Sequence, residues 1–308
     1  MRLVTFELAR EPGAERLGAL YDGDAGVADL TGARPLDSML SLIEGGAPAL
    51  ELARRALVLI ESGEAPARGF ARREVRLLAP LPRPRQMRDF MCFEEHLANC
   101  LKRAAGNAPP PPIPKIWYEV PAYYTCNVLA VVGTDTDVTW PHYAQLLDYE
   151  LEFAAVIGKP GRDIPRERAL EHVFGYTIFN DVSARDTQIK EMAANLGPGK
   201  GKDFDGGNVL GPCIVSADAI DPYALTMVAR VNGEEWSRGH SSTMHHRFED
   251  CIAHVSRAAT LHAGELLCSG TVGTGCGLEQ GRFLKPDDVV ELEVEGIGVL
   301  RNRIVKGA

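Results

Sequence analysis

The sequence predicts an α+β fold, rich in β-strands, in which a small N-terminal domain (residues 1–80) precedes a larger domain (residues 85–308). Three features of the 308-residue chain support this prediction. Short runs of β-branched and aromatic residues recur from residue 128 onward, each bounded by Gly, Asp or Pro. Helical patterns lie between some of these runs. A proline-punctuated segment, LLAPLPRPRQ, separates the two parts of the chain.

The N-terminal part predicts a strand, a turn and a helix. The stretch from Leu3 to Leu8 alternates in polarity, as a half-buried strand does. The segment YDGDAG that follows carries the Gly and Asp residues typical of turns. An alanine- and leucine-rich stretch from about Pro48 to Gly63 indicates a helix, which ends before the proline-punctuated segment.

The larger part predicts a helix, an irregular loop and a series of strands. The segment EEHLANCLKRAA has helical spacing. The prolines of NAPPPPIPK remove backbone donors and fix φ, so this segment is expected to be a surface loop and a candidate lid. The expected strands are VLAVVG, YELEFAAVIG, VFGYTIFND, ALTMVARVNG and VVELEVEGIGVLRNRIV.

Composition and charge exclude several classes of function. The net charge of -9 and the pI near 5.5 argue against a nucleic-acid or anionic-membrane partner, since both need a basic surface. The first twenty residues lack the apolar block of a signal peptide. Seven scattered cysteines without a CxxC pair indicate free thiols in a reduced, cytoplasmic setting. An anionic substrate would therefore need a local cluster of positive charge.

The segment DYELEFAAVIG contains the most informative pair of acids. In a strand, residues two apart face the same side, so Glu150 and Glu152 would present two carboxylates together. Paired anions repel each other unless a cation neutralises them. Oxygen-only ligands favour Mg²⁺, with Mn²⁺ or Ca²⁺ as alternatives, over zinc. The other interpretation of this motif is an exposed acidic strand face.

A third acid, Asp181, closes the strand pattern VFGYTIFND. If a helix follows, Arg185 and Gln188 share a face with it at spacings of four and three. Such a triad alone is more often a structural cap with an ion pair. The glycine-rich segment LGPGKGKDFDGG then supplies Lys200 and Lys202, but it lacks the Gly-Lys-Ser/Thr order of a nucleotide-binding loop.

Upstream of these acids, the segment RDFMCFEEH places Asp89 seven residues before His96. A lone histidine in a helical stretch is usually a surface or capping residue. Beside a metal site, however, its ordinary pKa of about 6.5 suits proton transfer at neutral pH. His96 is therefore a candidate general base.

Taken together, YELEFAAVIG, FGYTIFNDVSARDTQ, KGKDF and CSGTVGTGCGLE resemble the motif series of the fumarylacetoacetate hydrolase family, over about residues 85–308. The resemblance implies a catalytic domain of mixed β-sheets forming a β-sandwich or β-roll, a divalent metal ion held by carboxylates, and a homodimer. It also implies roles for particular residues. The expected metal ligands are Asp89, Glu150, Glu152 and Asp181, and the residues expected to hold substrate oxygens are Arg185, Gln188, Lys202 and Thr271.

The sequence departs from the family pattern near the histidine. Shorter members carry a glutamate three residues after it, where this chain has Asn99. Glu279 resembles the distant glutamate of the longer enzymes and is the expected partner of His96. Met91 replaces a substrate-contacting tyrosine, which argues against fumarylacetoacetate itself as substrate. A tyrosine of EVPAYYTCN is expected to reach the substrate, and we assign Tyr123 ahead of its neighbour in the sequence.

The predicted function is Mg²⁺-dependent hydrolysis of a C–C bond in a small β-diketo acid, which is acylpyruvate-like, fumarylacetoacetate-like or a diketo sugar acid, through a metal-bound enolate. In this scheme His96 and Glu279 activate water, and Lys202 stabilises the oxyanion. The alternatives are an oxaloacetate decarboxylase or tautomerase and a 2-keto-3-deoxy sugar acid dehydratase, which share the enolate. A non-catalytic, metal-stabilised binding scaffold is the remaining alternative, and it would not need His96 and Glu279.

Overall fold

The computed structural model describes residues 1–307. In chain order the strands are β1 (Arg2–Leu8), β2 (Glu11–Tyr21), β3 (Gly26–Asp29), β4 (Gly69–Ala71), β5 (Val75–Leu77), β6 (Gln86–Phe90), β7 (Tyr123–Thr125), β8 (Val131–Val132), β9 (Val138–Trp140), β10 (Leu147–Asp148), β11 (Leu151–Ile157), β12 (Gly161–Arg162), β13 (Val173–Asp181), β14 (Ser183–Ala184), β15 (Asn208–Ser216), β16 (Thr226–Val231), β17 (Glu234–His240), β18 (Thr260–Leu261), β19 (Glu265–Cys268), β20 (Val289–Val294) and β21 (Gly298–Lys306). The α-helices are α1 (Met39–Glu61), α2 (Glu94–Ala105), α3 (Lys115–Glu119), α4 (Arg185–Met192), α5 (Phe248–Val255) and α6 (Gly277–Gln280). The α+β, strand-rich prediction is confirmed.

Most strands belong to two sheets. A 12-stranded sheet has the order β4-β3-β2-β1-β15-β13-β11-β19-β6-β7, with β5 paired to β1 and β8 to β15. A five-stranded sheet has the order β17-β16-β20-β21-β9. Because β1 pairs antiparallel with β15, hydrogen bonds join the N-terminal strands and the later strands in one sheet. A boundary between two domains at residues 80–85 therefore stays a prediction.

The central strands of the large sheet are buried on both faces, and β11 shows how. Its residues Phe153, Ala155 and Ile157 pack into one hydrophobic core, which the five-stranded sheet also lines. The alternate residues Ala154 and Val156 pack into a second core, which α1 covers. This explains why the central strands read as continuous apolar runs, as doubly covered strands do. It also means that polar residues on these strands are buried, including those at the strand ends next to the site.

Two helices, α1 and α2, match segments predicted to be helical, and α1 begins earlier than predicted. α2 covers the predicted segment EEHLANCLKRAA, and residues 107–114 lie outside helices and strands, as the prolines indicated. α1 begins nine residues before the predicted start at Pro48, and it consists of two helical segments that meet at Gly46, whose φ of 58° is left-handed and interrupts the helix. Within residues 1–307, no helix is both long and apolar enough to cross a membrane.

Candidate active site

Four carboxylates converge at one end of the large sheet. One oxygen from each carboxylate lies within 4.8 Å of the others, and all four residues are buried. They are the acids that the sequence singled out: Asp89, Glu150, Glu152 and Asp181.

Strand direction brings these acids together. Asp181 is the last residue of β13, and Glu152 is the second residue of the antiparallel neighbour β11, so both lie at the same sheet end. Asp89 lies near the end of β6, which runs parallel to β19 and hence antiparallel to β11. Glu150 precedes β11 and forms an isolated bridge with Cys276. The period of two residues in extended backbone places Glu150 and Glu152 on one side.

Two cations lie against the carboxylates. The Lys202 Nζ contacts the Glu150 Oε2 at 2.5 Å and also bonds the Asp181 carboxylate. The Arg185 Nη2 lies 2.8 Å from the Glu150 Oε1, and its Nη1 donates to the Gln188 Oε1 at 3.0 Å. Arg185 and Gln188 are therefore neighbours on α4, as their spacing of three indicated.

The carboxyl groups differ in their acidity. Burial and the charge of Asp181 raise the pKa of Asp89 well above its ordinary value, and burial with the charge of Asp89 does the same for Glu152. Burial also raises the pKa of Asp181. Burial would also raise the pKa of Glu150. Nearby positive charge, first of all that of Lys202, outweighs burial and holds this pKa well below its ordinary value. The other three acids need a further positive charge to ionise fully.

The donor set fits a divalent cation. Within residues 1–307, three buried oxygens of the cluster have no hydrogen-bond partner: the Asp89 Oδ1, the Glu152 Oε2 and the Asp181 Oδ1. The other oxygen of Glu152 accepts a hydrogen bond from the Thr271 Oγ1 at 3.2 Å. Buried carboxylate oxygens without donors are costly unless a cation binds them. An oxygen-only set is typical of Mg²⁺, Mn²⁺ or Ca²⁺.

Strand register decides which tyrosine reaches the cluster. β7 pairs antiparallel with β6, with Tyr124 opposite Asp89 and Tyr123 opposite Phe90. The Tyr124 hydroxyl donates to the Asp181 carboxylate. The Tyr123 side chain is 42% exposed and packs on Phe90, with the ring centroids 5.2 Å apart. The structure thus places Tyr124, and not the assigned Tyr123, at the cluster, because neighbouring residues of a strand face opposite sides.

A histidine–glutamate pair lies beside the carboxylates. The His96 Nδ1 is 2.8 Å from the Glu279 Oε1. The other oxygen of Glu279 accepts hydrogen bonds from the Asn99 Nδ2 at 2.7 Å and from the Thr274 backbone N–H at 2.8 Å. Asn99 therefore orients Glu279, which comes from a distant part of the chain.

This pair lies near the carboxylate cluster, and the two groups interact electrostatically. Cys276, which bridges Glu150, is three residues before Glu279. Burial disfavours the His96 imidazolium, but hydrogen bonding and charge from Cys276 and Glu279 outweigh burial and raise the pKa of His96 to about 10. The hydrogen bond to Glu279 therefore favours the protonated form of His96.

Asp148 is a site residue that the sequence interpretation missed. It is fully buried and accepts a hydrogen bond from the Arg185 Nε at 2.9 Å. It also accepts the backbone N–H groups of Gly277 and Leu278, at 2.8 and 2.9 Å, at the start of α6. α6 carries Glu279, so Asp148 couples that glutamate to Arg185. The available signal was its position two residues before Glu150, in the same alternation of acids.

A cavity of about 600 Å³ lies next to the carboxylate cluster, since two of its lining residues, Tyr124 and Lys202, bond the Asp181 carboxylate. The glycine-rich segment, including Leu196 and Lys200, also lines this cavity. Lys202 is buried, whereas Lys200 is exposed. The cavity is large enough for a small organic acid.

The family assignment follows from this site and from sequence comparison. A sequence model described as fumarylacetoacetate (FAA) hydrolase C-terminal matches residues 86–305. The chain belongs to the fumarylacetoacetate hydrolase family. The resemblance of its motifs to this family is thereby confirmed.

Named members of the fumarylacetoacetate hydrolase family match almost the whole chain. The human protein called oxaloacetate tautomerase FAHD2A, mitochondrial, is 34% identical over 314 residues, which cover 99% of this chain and 92% of that protein. The Xenopus laevis oxaloacetate tautomerase fahd2, mitochondrial, is 33% identical, covering 99% and 90%. The structure of a fumarylacetoacetate hydrolase from Exiguobacterium antarcticum superposes with a TM-score of 0.76 at 31% identity, covering 100% of both chains.

Proposed function

We propose that the chain is a Mg²⁺-dependent tautomerase that interconverts the keto and enol forms of oxaloacetate or a similar small 2-oxo acid. The observation that carries this proposal is the placement of a proton-transfer pair, His96 and Glu279, beside a buried carboxylate cluster with three unpartnered oxygens. Oxaloacetate tautomerases that match 99% of the chain support it over C–C hydrolysis, the first choice from sequence.

Asp89, Glu150, Glu152 and Asp181 would hold the metal ion. When bound, a divalent cation would neutralise these acids, polarise the substrate carbonyl and, through like charge, oppose the imidazolium of His96. Lys202 and Arg185 are the cations nearest to the cluster and would attract the carboxylate of an anionic substrate.

Tautomerisation needs one proton to leave carbon and one to reach oxygen. The His96 Nδ1 is held by Glu279, so its Nε2 is the nitrogen left to exchange a proton with the substrate. In the forward direction the C–H bond at C3 breaks, a C2–C3 double bond forms, and the former carbonyl oxygen takes up a proton. Glu279, itself held by Asn99, would fix the imidazole orientation and stabilise its charged form.

Hydrolysis of a C–C bond in a β-diketo acid is the second candidate. The same His96–Glu279 pair could remove a proton from water, and a relative of 31% identity is named fumarylacetoacetate hydrolase. Decarboxylation of oxaloacetate and dehydration of a 2-keto-3-deoxy sugar acid use the same enolate chemistry and belong in the same assay panel.

The test is turnover of enol-oxaloacetate, followed by its ultraviolet absorbance, and of the other candidate substrates, with Mg²⁺ and with EDTA. We expect Mg²⁺-dependent tautomerisation that is lost in His96→Ala and retained in His142→Ala, which changes an exposed histidine outside the site. Cleavage of a diketo acid without tautomerisation would favour the hydrolase. Turnover unaffected by His96→Ala would refute the role of His96, and no turnover of any candidate would favour the binding scaffold.

A homodimer and a cytoplasmic location are further parts of the proposal. Family resemblance supports the dimer, and the seven free cysteines, all within residues 1–307, suit a reducing compartment. The human and frog relatives are named mitochondrial. Light scattering of the purified chain tests the dimer, and fractionation of source cells tests the location.

A further inference from the structure

Two thiols flank the His96–Glu279 pair, and neither has a role in the proposed reaction. The Cys276 Sγ lies 3.5 Å from the Glu279 Oε1. The Cys100 Sγ lies 4.0 Å from the His96 Nδ1 and 3.7 Å from its Nε2. One imidazole, two thiols and one carboxylate thus lie close together.

Two short helical spacings create this arrangement. His96 and Cys100 are four residues apart on α2, so their side chains share a face. Cys276 is the residue that caps α6, and Glu279 is in the first turn of that helix. The two helices therefore present one pair of ligand groups each, at spacings common in zinc sites.

The distances among three of these groups are close to those of a tetrahedral zinc site. With Zn–N, Zn–O and Zn–S bonds of ordinary length, neighbouring ligand atoms are about 3.3 to 3.8 Å apart. The observed separations along the path from Cys100 through His96 and Glu279 to Cys276 are 4.0, 2.8 and 3.5 Å. The ligand atoms of His96, Cys276 and Glu279 all lie within 4.8 Å of one another. The Cys100 thiol lies outside this group, closer to the His96 Nε2 than to its Nδ1, and its side chain would have to move towards the Nδ1 to complete the tetrahedron.

We propose that His96, Cys100, Cys276 and Glu279 form a Zn²⁺ site that inhibits the enzyme. Binding would join the metal to two sulfurs, the His96 Nδ1 and one Glu279 oxygen, and would release to solvent the protons of both thiols and the proton of the His96 Nδ1. The hydrogen bond between His96 and Glu279 would then be lost. Zinc binding itself does not depend on the proposed function, whereas inhibition rests on it.

The two metal sites differ in chemistry, so they select different ions. The carboxylate cluster offers only oxygen and favours Mg²⁺, whereas thiolate and imidazole favour Zn²⁺. Cys100 is partly exposed and gives access from solvent, whereas Cys276 is fully buried. Zinc can therefore reach this site while Mg²⁺ occupies the other.

The test measures Zn²⁺ affinity of the Mg²⁺-saturated protein by competition with a chromogenic chelator. We expect one zinc ion per chain, and a loss of affinity of at least about tenfold in Cys100→Ala and in Cys276→Ala, since even indirect partners of a metal contribute that much. Cys213→Ala is the control, because Cys213 is buried beside Ile297, away from this site, and should bind zinc as the wild type does. Co²⁺ in place of Zn²⁺ should show sulfur-to-cobalt charge-transfer absorption that both site variants lose.

The possible results distinguish a failure of the proposed zinc site from a failure of the proposed function. Unchanged zinc affinity in both site variants, or Co²⁺ spectra without thiolate bands, would overturn the proposed site. The Cys100→Ala variant keeps the test valid if Cys276→Ala fails to fold, because Cys100 is partly exposed. Zinc binding with thiolate bands in a protein that turns over no candidate substrate would uphold the site and refute the proposed function.

Discussion

Replacing Lys202 with methionine tests the charge balance of the carboxylate cluster. Lys202 is 6% exposed, and its ammonium is shared between Glu150 and Asp181. Methionine keeps most of the side-chain volume and removes the charge. The variant would leave four buried acids without the ammonium that bridges two of them.

The expected loss of unfolding free energy is about 3–5 kcal/mol at neutral pH without metal, as for other buried ion pairs that lose one partner. Losing the ion pair to the second carboxylate as well should not double this loss of unfolding free energy, because a buried acid can take up a proton instead of staying charged. Such an acid has a raised pKa in the folded state, so its protonation stabilises the fold at low pH. This contribution is lost as the pH rises. The deficit of the variant should therefore shrink as the pH falls towards 5.

Magnesium should reverse much of this loss. A ligand at 100 times its dissociation constant stabilises the folded state by about 2.7 kcal/mol. Urea denaturation with EDTA and with Mg²⁺ measures both effects. Lys200→Met is the matched control, since Lys200 lies two residues earlier in the same loop and is exposed. If the two variants lose equal stability, or if Mg²⁺ shifts neither variant nor wild type, the charge-balance argument is wrong.

Three further changes test individual contacts. Tyr124→Phe should lower stability in EDTA by about 1.5–3 kcal/mol, since it removes a hydrogen bond to a charged group, and Tyr123→Phe should not; equal effects would contradict the observed register. Glu279→Gln should lower the pKa of His96 from about 10 towards 6.5, measured by NMR titration. The raised pKa of His96 stabilises the wild type fully below pH 6.5, and this contribution is lost as the pH rises through 10. The difference in unfolding free energy between wild type and variant should therefore close at high pH. Asp148→Asn should reduce both turnover and stability in urea, because the charge that holds α6 is lost; unchanged turnover would argue against its positioning role.

The sequence alone determined the parts of the site that depend on local geometry. The period of two residues in a strand put Glu150 and Glu152 on one side, and the end of an apolar run put Asp181 at a strand end. The spacing of three on a helix put Arg185 beside Gln188. These relations need only backbone geometry, which is the same wherever the segment packs.

Only the tertiary structure decided which distant residues meet. Glu279 lies 183 residues from His96 in sequence, and the α2–α6 contact that joins them depends on packing. The pairing of β7 with β6 selected Tyr124, because a shift of one residue reverses the face of every side chain. The cap that Asp148 provides to α6 likewise depends on long-range folding. Local patterns fix which face a side chain takes, whereas register and packing between segments fix what that face meets.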